Sequence, residues 1–255
     1  KMGMIGPLMG RERPASQSVA TGLTGTRYQW QGIQFKGDGQ TPGQLGLDLN
    51  VACYGSVRDC VFVNFDTGLS ARFCLGLIVE QCKFLSNRTY GPFIGGGDWT
   101  GATGANSQSN HVFLEHVRVY CATNQTAVML IEASSGVVVS NCIIEGGQPQ
   151  YCVKFDAKGS TVVKNFTVRN LHIETTATQY TLAATLPSGH VVYDNVYLAH
   201  GGIVGTVYHQ GVAYQSFCHL TNWGWWPADA RRSGYVKYTF FFSGLVNDTC
   251  NASTG

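Results

Sequence analysis

The sequence predicts an all-β solenoid, a chain wound into about seven to eight stacked coils of parallel strands. Three observations predict it. A six-residue pattern recurs eight times, each copy contains a residue suited to a tight corner, and successive copies lie only 22 to 35 residues apart. Such a period is too short for a βαβ unit and fits one turn of a repeat architecture.

The copies occupy residues 30–35, 57–62, 79–84, 114–119, 139–144, 168–173, 193–198 and 220–225. Each reads apolar, any, polar and turn-tolerant, apolar, any, apolar, as in Val139-Ser140-Asn141-Cys142-Ile143-Ile144. Strand side chains alternate at period two, so inward residues three apart mean that the chain turns between them. The corner residues are Gly32, Asp59, Gln81, His116, Asn141, Asn170, Asn195 and Asn222. All but Gln81 belong to the types that enter the left-handed backbone region most readily.

The remaining elements follow in order. Residues 1–26 lack the repeat and read as an N-terminal cap or connector, because a solenoid's open ends expose unpaired strand edges. Apolar segments at 46–54, 70–75, 127–134, 151–157, 180–186 and 202–209 read as a second sheet. The widest interval holds a loop over residues 86–110, with Asp98 and Trp99 on a Gly-rich stretch. A loop of that length is either a ligand-binding element or a structural protrusion. Residues 27–225 make one solenoid domain, and residues 226–255 form an aromatic-rich tail that caps the last coil, packs against other subunits or stacks on glycan.

Composition narrows the functional classes. Charged residues are 13% of the chain, net charge is +2, and basic residues form no run beyond Arg231-Arg232, so a nucleic-acid footprint is absent. No apolar stretch has the length of a membrane span. The nine cysteines show no zinc-type spacing, and no metal or other cofactor is expected. Cys60, Cys82 and Cys142 share one inward position; Cys60 and Cys82 are close enough to bridge, or all three are buried thiols. Five Asn-x-Ser/Thr sequons occur, at Asn87, Asn124, Asn165, Asn247 and Asn251.

The repeat with its Asn-type corner resembles the right-handed parallel β-helix of the pectin-lyase-like superfamily over roughly residues 27 to 225. The chemistry that this resemblance implies is not carried over with it. The paired-aspartate, Gly-His-Gly and Arg-Ile-Lys motifs of polygalacturonase-like members are missing, and Ala199-His200-Gly201-Gly202 is only a fragment of one. The acidic calcium cluster of pectate-lyase-like members is likewise not visible.

Stacking can still bring distant acids together. Glu132 and Asp156 fall on consecutive coils, where their carboxyls come within the separation of about 5 to 9.5 Å used in glycoside hydrolysis. They are the candidate catalytic pair, with Arg72 and Lys154 nearby either as substrate-binding cations or as partners in a solvated mixed-charge face. Asp98, Trp99, Trp225 and Trp226 are the further candidates for glycan contact.

Low charge, coils without the family's catalytic motifs, a non-repeat N-terminal segment and an aromatic tail together resemble phage tailspikes and tail fibres. That resemblance implies a homotrimeric adhesin at a virion surface, or otherwise extracellular, joined to an upstream component and binding a host surface polysaccharide. The alternatives are an extracellular polysaccharide hydrolase or lyase, and a structural surface or filament-forming solenoid.

Overall fold

The computed structural model describes residues 29–50, 53–96, 108–156, 165–175, 177–178, 180–185, 191–198, 207–209, 212–214 and 234–236. Every regular element among them is a β-strand. A turn begins with a short strand before the predicted corner: β1 (Gln29–Gln31), β4 (Ser56–Arg58), β7 (Ile78–Glu80), β11 (Phe113–Glu115) and β15 (Val138–Ser140). After the corner come β2 (Gln34–Lys36), β5 (Val61–Val63), β8 (Lys83–Leu85), β12 (Arg118–Tyr120) and β16 (Ile143–Glu145). A longer strand completes each turn: β3 (Leu45–Asn50), β6 (Thr67–Arg72), β9 (Tyr90–Gly95), β13 (Ala127–Glu132) and β17 (Tyr151–Asp156).

Each strand pairs in parallel with its counterparts one turn away, as Val57, Val79, Leu114, Val139 and Val168 do in register. The result is a parallel β-solenoid. About five turns carry all three strands, fewer than the seven to eight coils read from the repeat. Beyond them β18 (Phe166–Glu174) runs through its corner as one strand, followed by β19 (Tyr180–Thr185), β20 (Val191–Leu198) and β21 (Val207–His209). Antiparallel partners then appear: β22 (Val212–Tyr214) on β21 and β23 (Gly234–Val236) on β20. The eighth copy of the pattern lies outside the described residues.

The corners follow from backbone sterics. Gly32, Asp59, Gln81, His116, Asn141 and Asn170 have φ between 50° and 68°, the left-handed region, Gln81 included. Asn170 Nδ2 donates to Asn141 Oδ1 at 3.0 Å, linking two neighbouring corners along the stack.

Inside, identical residue types fall on top of one another. Phe35, Phe62 and Phe84 are fully buried, their rings stacked at 4.9 and 4.8 Å and tilted by 1° and 8°. Burying each such ring stabilises the fold by about 1.5–3 kcal/mol, with ring stacking adding to this. All seven cysteines among the described residues are buried free thiols, so Cys60 and Cys82 are not bridged. Cys82 donates to Val57 O and Glu80 O, and Cys142 to Leu114 O and Ser140 O, at 3.2 to 3.5 Å. Burial pushes both thiols up to about 12. Asn87 is a sequon only in name: its buried amide accepts from Phe65 N and donates to Phe62 O.

One expectation needs correction. The span 86–110 is not a single loop, because Tyr90–Gly95 is β9, a full member of the long-strand sheet. Proline at 92 and glycines at 91 and 95 disguised it in the sequence, since both types are depleted in strand interiors.

Candidate functional site: the outer face of the long-strand sheet

The long strands share a local pattern that positions the site. In Ala127-Val128-Met129-Leu130-Ile131-Glu132, Val128, Met129 and Ile131 belong to the core, while Ala127, Leu130 and Glu132 do not. Two consecutive inward residues mark a bend, so the first, fourth and sixth positions face outward. In β6 and β9 the second position is glycine. A Cβ at Gly68 would meet Phe84 Cδ1 at 2.7 Å, and one at Gly91 would meet Val128 O at 2.9 Å.

The outward residues therefore form three rows across the stack. The first holds Leu45, Thr67, Tyr90, Ala127 and Tyr151. The second holds Asp48, Ser70, Phe93, Leu130 and Lys154, and the third holds Arg72, Gly95, Glu132 and Asp156.

Three aromatic side chains, Tyr90, Phe93 and Tyr151, lie on this face. The Tyr90 and Phe93 rings stack at 5.6 Å with a 29° tilt, and the Lys154 ammonium sits 5.1 Å from the Tyr151 ring centroid. Phe93 also lies over Gly95: a Cβ there would be 2.6 Å from Phe93 Cζ. Gly95 thus leaves the notch between Arg72 and Glu132 that the ring fills. Although Ala127 and Leu130 point out of the core, they are 0% and 3% exposed. The half-buried rings beside them present a mainly apolar platform.

Charges rim the platform. Arg72 bridges Asp48 at 3.2 Å, and Lys154 bridges Asp156 at 3.5 Å. At the edge where the strands begin, Arg88 binds Asp66 Oδ1 at 3.1 Å and the Gln40 and Thr41 carbonyls at 2.9 Å. Beyond it Asp38 accepts from the Thr41 hydroxyl and from the Thr41 and Gln40 amides, which hold its carboxyl at about 2.

The candidate catalytic residues meet as register partners, Glu132 on β13 opposite Asp156 on β17. Neighbouring strands lie about 4.8 Å apart, so the two carboxylates start from adjacent Cα positions on one face. Arg72 and Lys154 share that face, each already engaged with an aspartate. Asp98, Trp99, Trp225 and Trp226 lie outside the described residues.

The segment carrying Asp98 and Trp99 leaves from the end of β9 and returns at β10 (Ser109–Asn110), which pairs with β14 (Ser134–Ser135). Ser109 Oγ donates to Gly95 O at 2.6 Å and accepts from Cys74 N at 2.9 Å, pinning the base of the segment beside Arg72 and Glu132. Gln108 Oε1 receives the Ser135 hydroxyl there at 3.3 Å.

Counting back from the corners also puts Asp48 on this sheet, while sequence reasoning missed Tyr90, Phe93 and Tyr151 as members of its face. The signal was present: an apolar pair flanked by outward positions three apart, repeated in all five long strands. Among the described residues no group of three or more His, Cys, Asp or Glu side chains is placed to hold a metal ion. Nor is any helix among them long and apolar enough to cross a membrane. Set against known proteins, the chain is matched by no family model, no curated protein and no solved structure.

Proposed function

We propose that the outer face of the long-strand sheet binds a surface polysaccharide, and that the chain is an adhesin of the phage tailspike or tail-fibre type. The observation that carries this reading is the Tyr90, Phe93 and Tyr151 platform rimmed by ion pairs. Sugars present apolar C–H faces bordered by hydroxyls. An aromatic patch with carboxylates and cations at its margin offers a surface for each. The parallel solenoid supplies rigidity, since each inner strand is held by both neighbours, and low charge suits an external fibre. With the adhesin reading come a homotrimer, a host surface glycan as partner, attachment upstream through residues 1–26, and a virion-surface or extracellular setting.

A second reading, a polysaccharide hydrolase or lyase with the pectin-lyase-like type of scaffold, draws support from the register of Glu132 and Asp156. Carboxyls on adjacent strands suit the pairwise acid and base roles of glycoside hydrolysis. The two readings share one face and differ in whether bonds break on it.

Incubation with a panel of bacterial surface polysaccharides, following binding together with release of reducing or unsaturated ends, separates them. The adhesin reading expects binding without products. Products that vanish in Glu132→Gln or Asp156→Asn would establish a depolymerase. A structural solenoid would show neither binding nor products.

A further inference from the structure

We infer that this chain completes its fold in a reducing compartment of the cytosolic kind and meets an oxidising or glycosylating one only afterwards, because either modification of the unfolded chain would keep the core from closing. The inference goes beyond the binding reading and does not rest on it. Two separate observations carry it.

The first is the placement of the thiols. All seven cysteines among the described residues are buried and free. Cys60 and Cys82 hold the same inward position on successive turns, next to the register partners Val61 and Lys83, and Lys83 N donates to Cys60 O at 2.8 Å. Parallel neighbours stand about 4.8 Å apart, whereas a disulfide draws its Cβ atoms to about 3.8 Å. Each thiol instead closes its own corner: Cys60 donates to Arg58 O, Cys82 to Glu80 O and Cys142 to Ser140 O, at 3.2 to 3.3 Å. Cys82 and Cys142 donate also to Val57 O and Leu114 O of the preceding turn. In the unfolded chain Cys60 and Cys82 are near in sequence, and the loop between them closes at small entropic cost. Exchange with an external disulfide would oxidise the pair to one Cys60–Cys82 bond and reduce the oxidant to two thiols. That bond takes both sulfurs from their carbonyls and pulls the two corners together. Oxidising compartments promote this chemistry and the cytosol suppresses it.

The second is the sequon Asn87-Arg88-Thr89. Asn87 is 1% exposed, and its amide accepts from Phe65 N at 3.0 Å and donates through Nδ2 to Phe62 O at 3.3 Å. An N-linked glycan is joined through that same nitrogen and is too bulky for a core. Added before folding, it would hold Asn87 outside and take a partner from both backbone groups. The exposed sequon residues Asn124 and Asn165 carry no such penalty.

The test compares the full chain made in a reducing bacterial cytosol with the same chain led through a eukaryotic secretory pathway by an added leader peptide. Denatured chain is also refolded in reduced glutathione and in glutathione disulfide. Cytosolic and reduced samples should melt cooperatively. Secreted and disulfide-treated samples should contain a folded fraction smaller by about tenfold or more, with peptide mass mapping finding a glycan on Asn87 in the secreted chain and Cys60–Cys82 bonds in both. Thr89→Val removes the acceptor sequence and keeps Asn87. Combined with Cys60→Ala and Cys82→Ala, it should raise the folded fraction of the secreted chain by about fivefold or more.

Wild-type chain that melts at the cytosolic temperature after secretion, or after refolding in the disulfide, would overturn the inference. So would a triple variant that folds in the cytosol and gains nothing on secretion, because Asn87 and the Cys60–Cys82 pair would then not be the obstacle.

Discussion

Two of the solenoid's corners are built in opposite ways, and the difference bears on which of them can change. Between the short strands the corner is a single left-handed residue, with the same small spacing in every full turn from Gly32 to Asn141. After the long strands the corner is wider. It has two left-handed positions, Phe73 and Gly76 in one turn and Ala133 and Gly136 in another. Between them a hydroxyl or thiol donates back across the bend, Ser134 to Glu132 O and Cys74 to Arg72 O. In the third turn the described chain stops at Gly96 and resumes at Gln108, and Ser109 still supplies the closing hydrogen bond to Gly95 O. A corner made of one residue has no slack, since one extra residue shifts both flanking ladders out of register. A corner closed by a side chain can be opened, extended and closed again, and the candidate binding face lies beside it.

Insertions test this contrast most severely. Two glycines placed after Asn141 should collapse the cooperative thermal transition, because β15 and β16 could not both keep their partners. The same insertion between Gly96 and Gln108 should leave the melting temperature within a few degrees, because the Ser109 hydrogen bond to Gly95 O already closes the bend across an interposed segment. Equal losses at both places would abolish the distinction.

Alkaline titration probes the interior behind the single-residue corner. Burial raises the Cys60 thiol, pushes Cys82 and Cys142 up to about 12, and raises Cys152 well above its ordinary value. The folded chain therefore holds these protons more tightly than the unfolded chain. Stability is full below the ordinary thiol value of 9.0 and falls as pH rises from there towards about 12. Equilibrium denaturation across that window should show the decline, and Cys82→Ala combined with Cys142→Ala should flatten it. At neutral pH the seven buried thiols should resist thiol reagents until the chain unfolds.

Smaller effects follow at individual positions. Asn141→Val would force a β-branched residue to hold a φ of 54°, at a cost of about 1–3 kcal/mol in denaturant unfolding. Ser134→Ala removes the donor to Glu132 O and should lose about 1 kcal/mol. Gln81→Asn should stabilise by about 0.5 kcal/mol, because asparagine accepts the left-handed conformation more readily than glutamine.

How far the sequence could be read tracks the same contrast. The single-residue corner was legible because φ near 50° restricts residue choice, which left Asn, Asp, Gly and His as a visible column. The wide corner was not, since Tyr54, Phe73, His111 and Ala133 hold equally left-handed angles without belonging to one residue class. Tyr54 shields Gly76, and carbonyls of the next turn accept from the Tyr54, Phe73, His111 and Ala133 amides, so tertiary context overrides local preference there. The acid pair was legible from coil counting alone. The aromatic platform was hidden by the out-in-in-out-in-out pattern of the long strands, which imitates neither a simple strand nor a helix. In β9 Gly91, Pro92 and Gly95 concealed even the strand.

The proposed binding site puts recognition on the outer face of the long-strand sheet. It is tested most directly by comparing two tyrosines, Tyr90 on that face and Tyr120, which is 50% exposed on the sheet after the single-residue corner. Dissociation constants for a bound polysaccharide should rise about tenfold or more in Tyr90→Ala, the loss of one stacked ring being worth about 1–3 kcal/mol, and stay unchanged in Tyr120→Ala. An affinity unaffected by Tyr90→Ala but lost in Tyr120→Ala would contradict the account and move the site to the opposite face.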